Sequence, residues 1–128
     1  MRIDSGEEIV ATLTAFAERH GVRAGADLRL GAVGETELGF FVRVDLELRS
    51  PHVHRRARDR RRSPATSASW TGSPFPHCHV VIAGDDFVAH TGHLFRGIVT
   101  VTCEVQVITD PGVLRARAPP SWASTRWT

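Results

Sequence analysis

The sequence contains no lysine, no asparagine and no tyrosine, and all sixteen of its basic residues are arginine. A GC-rich gene produces this bias, so the choice of arginine over lysine says nothing about what the protein recognises. The formal net charge is only +2. The informative property of the arginines is therefore where they cluster, not how many there are.

Cysteine is also scarce, and long apolar runs are absent. Cys78 and Cys103 each lie inside an apolar, strand-like run, which is typical of buried free thiols rather than of a disulfide framework. No apolar stretch approaches the roughly 20 residues of a membrane helix, and residues 1–4 lack the apolar region of a secretory signal. We therefore expect a cytoplasmic protein without a membrane segment.

The length of 128 residues gives room for one hydrophobic core but not for two. Apolar residues make up 41% of the chain, which is enough to build that core. We assign residues 1–113 to a single domain and residues 114–128 to a loosely structured tail.

Apolar periodicity predicts one helix near the N-terminus. Asp4 and Ser5 are candidate caps, and the carboxylates of Glu7 and Glu8 suit a first helical turn. Gly21 supplies the C-terminal stop. Between them lies a stripe with helical spacing, which consists of Ile9, Val10, Leu13, Phe16 and Ala17.

Strands are predicted in three later stretches. Residues 24–41 alternate apolar with polar side chains and are interrupted by Gly31 and Gly34, which indicates two antiparallel strands joined by a tight connection. Residues 77–82 and 98–108 predict two more strands. In the last strand one face is expected to lie in the core: Val99, Val101, Cys103, Val105 and Val107. One N-terminal helix packed on a mainly antiparallel sheet is an α+β architecture.

Residues 43–74 differ in composition from the rest and show no periodicity. Two interpretations stay open: an atypical Arg-rich insert, or, for residues 42–69 and also for the tail after Leu114, a stretch read from a shifted frame of a GC-rich gene, which would produce Arg, Ala, Pro and Ser in excess. Six arginines here are candidates for contacts with nucleic-acid phosphates, although most such runs are merely solvated. They are Arg55, Arg56, Arg58, Arg60, Arg61 and Arg62.

Two histidines on one predicted strand suggest half of a metal site. His77 and His79 are two residues apart, so their side chains leave the same face. His93 follows a turn predicted at residues 84–86 and returns to them if the next stretch pairs back. Three neutral imidazoles with water in the fourth position form an open zinc site. Spacing alone also fits ordinary surface or core histidines.

Other residues are weaker candidates for this site. His90 is an alternative third ligand, but Gly92 suggests a tight backbone turn at His93 and favours the latter. Glu104 could orient a ligand or act as a base, or it could be a solvated structural carboxylate. His52 and His54 share the same spacing but lie in the irregular segment.

Three stretches resemble the plants-and-prokaryotes-conserved (PPC) domain family. Residues 6–25 resemble its first helix and exit, and residues 30–41 resemble its glycine-punctuated hairpin. The third and most specific stretch runs from Pro76-His77-Cys78-His79-Val80-Val81 through Gly92-His93-Leu94 and Gly97 to Val101-Thr102-Cys103-Glu104-Val105.

The resemblance implies an α+β domain that assembles as a homotrimer. Prokaryotic relatives are described as DNA-binding proteins without an established function, and they look like metal-containing proteins with histidines at the positions of His77, His79 and His93. A bound metal, with zinc as the default, and a partner that is either DNA or a regulatory protein are therefore implied. The Arg-Gly-Arg-Pro core of the AT-hook that accompanies the plant domain has no counterpart here.

An enzyme is the alternative function. The PPC fold is similar to that of acetolactate decarboxylase, which also holds zinc with a His-x-His pair and a later histidine. A zinc ion at these positions could polarise a carbonyl or activate water. Only Glu104 and Arg96 are candidates for the further acid/base and carboxylate-binding groups, so the sequence favours the binding module.

Overall fold

One helix and six strands make up the described part of the chain. In this computed structural model the backbone is described at residues 1–42, 47–54, 63–70 and 73–115, and the side chains at residues 1–39 and 74–115. The elements are β1 (Arg2–Asp4), α1 (Ile9–His20), β2 (Gly25–Val42), β3 (Glu47–His54), β4 (Ser63–Trp70), β5 (Ser73–Ala83) and β6 (Ala89–Thr109). The strand pairs are antiparallel, which confirms the α+β prediction. Within these residues no helix is long and apolar enough to cross a membrane.

The sheet closes on itself around β2. Its strand order is β1-β6-β5-β4-β2-β3, with an additional pairing of β2 with β6. Because residues 25–29 of β2 pair with β4 on one edge and with β6 on the other, the strands β2, β4, β5 and β6 form a ring. Helix α1 packs against β5 and β6, and the apolar core lies between the helix and the inner face of these strands.

Helix α1 begins later than the sequence predicts. Residues 2–4 form β1, which pairs with β6 and so cannot join the helix. Glu8 is the N-cap instead: its carboxylate accepts hydrogen bonds from Val10 N at 3.1 Å and Ala11 N at 2.6 Å, and also from Gly97 N of β6 at 2.9 Å. The predicted stop is confirmed, since Gly21 adopts a left-handed conformation with φ 62°.

The two strands predicted for residues 24–41 are one continuous strand, β2. Gly31 does not mark a turn. It allows the backbones of β2 and β6 to approach each other closely, because a Cβ at this position would lie 2.6 Å from the Cα of Cys103 on β6. The pairing of β2 with β6 shifts register just after Gly31, so the glycine marks an irregularity inside a strand.

The alternation of β2 is present, but its charged face is the buried one. Asp27 and Arg29 are 2% and 5% exposed, whereas Leu28 and Leu30 are 39% and 43% exposed. A simple hydrophobic pattern would have placed these faces the other way round.

The valine face of β6 is only partly in the core. Val99, Cys103 and Val105 are buried, but Val101 is 71% exposed, so its predicted burial was wrong. The reason lies in the register: Cys103 is opposite Gly31 and Val99 is opposite Val33. Between these two pairs β6 advances by four residues while β2 advances by two. The extra length of β6 carries Val101 out of the core.

The irregular composition of residues 43–74 did not exclude strands. The backbone of residues 47–54 pairs with β2, and that of residues 63–70 pairs with β2 and β5. The expectation of an unpatterned segment is corrected at these strands, because backbone pairing does not require an apolar alternation. The arginine run at 55–62 and the tail at 116–128 lie outside the described residues.

The contrast between Val99 and Val101 is testable. Val99→Ala should lower the free energy of unfolding by about 2 kcal/mol, because it removes two buried methyl groups. Val101→Ala, the matched control on the same strand, should change it by less than about 0.5 kcal/mol. Urea unfolding of both variants measures this, and equal losses would contradict the register of β6 against β2.

Candidate metal centre

The hairpin of β5 and β6 brings the histidines together. Its turn is closed by Phe87 N, which donates to Gly84 O at 3.3 Å, and by Val88 N, which donates to Asp86 Oδ1 at 3.0 Å. From the turn the strands pair continuously until His79 faces His93. The predicted return of the chain after β5 is confirmed.

Three imidazoles share one face of this hairpin. The Nε2 atoms of His77 and His79 are 3.2 Å apart, and the ring centroid of His93 lies 5.0 Å from that of His77 and 5.6 Å from that of His79. One ligand nitrogen from each residue can be chosen so that all three lie within 4.8 Å of one another. The cluster predicted from the sequence is therefore present.

These distances fit a single small cation. Two nitrogens at 2.0–2.1 Å from a tetrahedral zinc ion are about 3.3 Å apart, close to the observed spacing of His77 and His79. In the absence of an ion, one of these two Nε2 atoms must donate a hydrogen bond to the other. His93 offers a nitrogen within 4.8 Å of theirs, and three imidazoles are a ligand set that zinc, copper, iron and nickel accept.

The surroundings of His77 and His93 favour the neutral form of these two imidazoles. His93 is half-buried and packs edge-on against Phe95, with ring centroids 4.9 Å apart. Burial, with smaller contributions from His77 and His79, lowers the pKa of His93 to about 4. Burial and then the neighbouring His79 also lower the pKa of His77. Metal ligation requires neutral imidazole, so both residues are in the right protonation state at neutral pH.

Cys78 lies between the two histidines of β5 but faces the other way. It is fully buried, and burial raises the pKa of its thiol. A buried, protonated thiol is neither a nucleophile nor a metal ligand. Neither Cys78 nor Cys103 forms a disulfide, as the sequence predicts.

Gly92 and His90 are placed differently from the sequence argument. There is no tight turn at His93, because Gly92 lies inside the continuous strand β6. Gly92 permits close approach of β2 instead, since a Cβ there would lie 2.7 Å from Gly39 O. His90 faces Ile82 on β5 and is not part of the three-histidine cluster.

The remaining candidate residues lie away from the cluster or outside the description. Glu104 is on the part of β6 that pairs with Arg2 of β1, and Arg96 is ion-paired with Glu35 at 2.8 Å. The backbones of residues 52 and 54 pair with β2, but their side chains are outside the described residues. So are the six arginines of the run at 55–62.

A buried ion pair on β2 was missed by sequence reasoning. Arg29 Nε lies 2.5 Å from Asp27 Oδ1, and both side chains are almost fully buried. Burial raises the pKa of Asp27, while the charge of Arg29 opposes that shift. The alternation of the two charges with Leu28 and Leu30 was the available signal, but it was ambiguous about which face is inside.

The sequence matches the Plants and Prokaryotes Conserved (PCC) domain over residues 1–110, which is the family that its motifs resemble. A comparison with curated proteins gave no match.

Solved structures share the fold. A protein from Ralstonia eutropha JMP134, provisionally named DNA-binding, is 20% identical with a TM-score of 0.86, over 94% of this chain and 83% of the other. A metal-containing protein from Archaeoglobus fulgidus is 26% identical with a TM-score of 0.81, over 89% and 79%. A protein from Bacteroides thetaiotaomicron, also provisionally named DNA-binding, is 25% identical with a TM-score of 0.78, over 88% and 78%.

The lowered pKa of His93 predicts an acid-sensitive fold in the metal-free protein. An unfolded histidine titrates near 6.5, so between about pH 6.5 and pH 4 the unfolded chain binds more protons than the folded chain. The free energy of unfolding should therefore fall as the pH is lowered through this window. His93→Gln should flatten the dependence, as measured by urea unfolding in EDTA at several pH values.

A matched control for this measurement is His20→Gln, which changes an exposed histidine at the end of α1. It should leave the dependence on pH closer to that of the wild type than His93→Gln does. An unchanged slope in the His93→Gln protein would show that this imidazole is not held neutral by the fold.

Proposed function

Since the chain belongs to the Plants and Prokaryotes Conserved domain family, we propose that it is a metal-holding binding module that assembles as a homotrimer and associates with DNA or with a regulatory protein. The observation that carries this proposal is the cluster of three imidazoles on one face of the β5–β6 hairpin. The Archaeoglobus relative, at 26% identity, is described as metal-containing.

His77, His79 and His93 would hold the metal, and zinc is the default ion for three imidazole ligands. His77 and His79 are exposed and His93 is half-buried, so the open side of the cluster faces solvent. A bound ion would supply a coordination position open to a further ligand. Because the pKa values of His77 and His93 are lowered, these two side chains would contribute neutral nitrogens without first having to lose protons.

Self-association is supported by apolar side chains on the outer face of the sheet. Leu28 and Leu30 of β2 and Ile108 of β6 are all exposed. They are neighbours on one face, because Ala26 is opposite Ile108 and Leu28 is opposite Gln106. A group of exposed aliphatic side chains on a sheet is typical of a contact surface, and a trimer contact would cover it.

Association with DNA is supported by one relative and one sequence feature. The Bacteroides structure, at 25% identity, is of a protein provisionally named DNA-binding. The six arginines at 55–62 could neutralise phosphates, which would give affinity without reading the base sequence.

The alternative of a zinc enzyme has less support. Hydrolysis or decarboxylation requires acid/base and substrate-binding groups around the metal. Among the side chains that the structure describes, Glu104 lies where β6 meets β1 and Arg96 is paired with Glu35. Neither therefore supports catalysis at the cluster.

Metal content and mass test the module directly. We expect about one zinc ion per chain and a mass of three chains for untagged protein, because each chain carries one complete three-imidazole set. The His77→Ala/His79→Ala variant should lose the metal, whereas His90→Ala, a control on the same hairpin, should keep it. Elemental analysis and light scattering measure both quantities, and a metal-free monomer would contradict the proposal.

Replacing the six arginines of the run with glutamine tests the proposed association with DNA. Affinity for duplex DNA should fall similarly for unrelated sequences. The slope of log K against log salt should shrink by about 0.9 for each phosphate that the variant no longer neutralises. Arg19→Gln/Arg23→Gln is the matched control outside the run. If the run can be neutralised without altering affinity or slope, these arginines do not bind DNA, and the regulatory protein partner is favoured.

A further inference from the structure

Asp27, the acidic member of the buried ion pair of β2, lies in the same cross-strand row as Cys78, the residue between His77 and His79 on β5. Asp27 is opposite Ala65 of β4, and Ala65 is opposite Cys78 of β5. Side chains in one such row share a face of the sheet. Asp27 and Arg29 therefore occupy the interior of the ring on the side toward which Cys78 points, and both are more than nine-tenths buried.

Cys78 connects this interior to the histidines. Its side chain is completely buried in the core cluster, and the charges of Arg29 and Asp27 both act on its thiol. Because side chains alternate along a strand, the inward direction of Cys78 fixes the outward direction of His77 and His79. Cys78 is thus the residue of this two-ligand stretch that faces the same interior as the ion pair.

Stability alone does not account for a pair of this kind. Apart from their mutual contact, neither the carboxylate oxygens of Asp27 nor the guanidinium nitrogens of Arg29 have a hydrogen-bond partner within the described part of the chain. A guanidinium cannot become neutral by losing its proton. Replacing a buried ion pair with apolar side chains is often neutral or even stabilising, so the pair calls for an explanation other than folding energy.

We propose that Asp27 and Arg29 are positioning residues for the metal centre. They fix the position of the Cys78 side chain and thereby the distances of His77 and His79 from His93. This inference rests on the proposed binding of a metal at these three histidines. Groups that orient metal ligands without touching the ion typically change metal affinity by about 10–100-fold when they are removed. The same range is expected here.

The test uses Co²⁺ as the probe, because its visible d–d absorption reports coordination geometry whereas Zn²⁺ is spectroscopically silent. The main variant is Asp27→Leu/Arg29→Met, which removes the pair without leaving one charge unpaired in the core. Ile3→Val is the matched control: it mildly destabilises the same core from β1, opposite Cys103 in the C-terminal half of β6 rather than beside the strand that carries His77 and His79. Urea unfolding is measured in parallel for each protein.

We expect the double variant to unfold cooperatively, to bind Co²⁺ at least tenfold more weakly than the wild type and to show an altered d–d band. Ile3→Val should keep both the affinity and the band. A folded double variant with less than a tenfold loss and an unaltered band would overturn the inference.

A second variant covers the case in which the double variant does not fold. Cys78→Ala keeps both charges and removes only the thiol on which they act, so it should also weaken Co²⁺ binding and alter the band. Wild-type binding by Cys78→Ala would overturn the inference while leaving the metal centre intact. Failure of the wild-type protein itself to bind Co²⁺ would instead remove the metal centre, and the positioning role with it.

Discussion

Strand β6 pairs with β1, β2 and β5, and these three pairings fix the positions of most of the described elements. Its C-terminal half pairs with β1 and β2, and its N-terminal end pairs with β5 and β2. Gly97 in its middle donates to Glu8, so the helix N-terminus is fixed to the same strand. His93 is therefore held by a strand that is restrained on both edges. That restraint lets a site on an exposed hairpin face have a defined geometry.

The parts of this arrangement that could be predicted are those that depend on local spacing. Two histidines at i and i+2 leave one face of any strand, and a turn-forming stretch soon afterwards brings the chain back, so the cluster of His77, His79 and His93 followed from sequence. The end of α1 at Gly21 followed in the same way, from the left-handed conformation that glycine adopts without strain.

The parts that could not be predicted depend on pairing between distant residues. Val101 belongs to the apolar face of β6 by alternation, yet a register shift against β2 exposes it, and nothing near Val101 in the sequence specifies that shift. Turns are the usual local reason for glycine, and on that ground Gly31 and Gly92 are expected to be turn residues. Their actual role, room for a neighbouring backbone, becomes visible only when the neighbour is known. Hydrophobic patterning could not predict the burial of Asp27 and Arg29 for a similar reason. Each charge is tolerated in the interior only because the other is beside it.

The position of the histidine cluster also bears on what a metal would do there. In small zinc modules the ion holds together segments that do not otherwise pair, and the fold is lost without it. Here the main chains of β5 and β6 already pair from Ala83–Ala89 to His79–His93, and the core is built from other side chains on the inner face. A metal at this cluster would therefore add little that the fold lacks. Its chemical consequence would lie on the solvent side, where His77 and His79 are exposed, so the site is better suited to meeting another molecule than to holding the domain together.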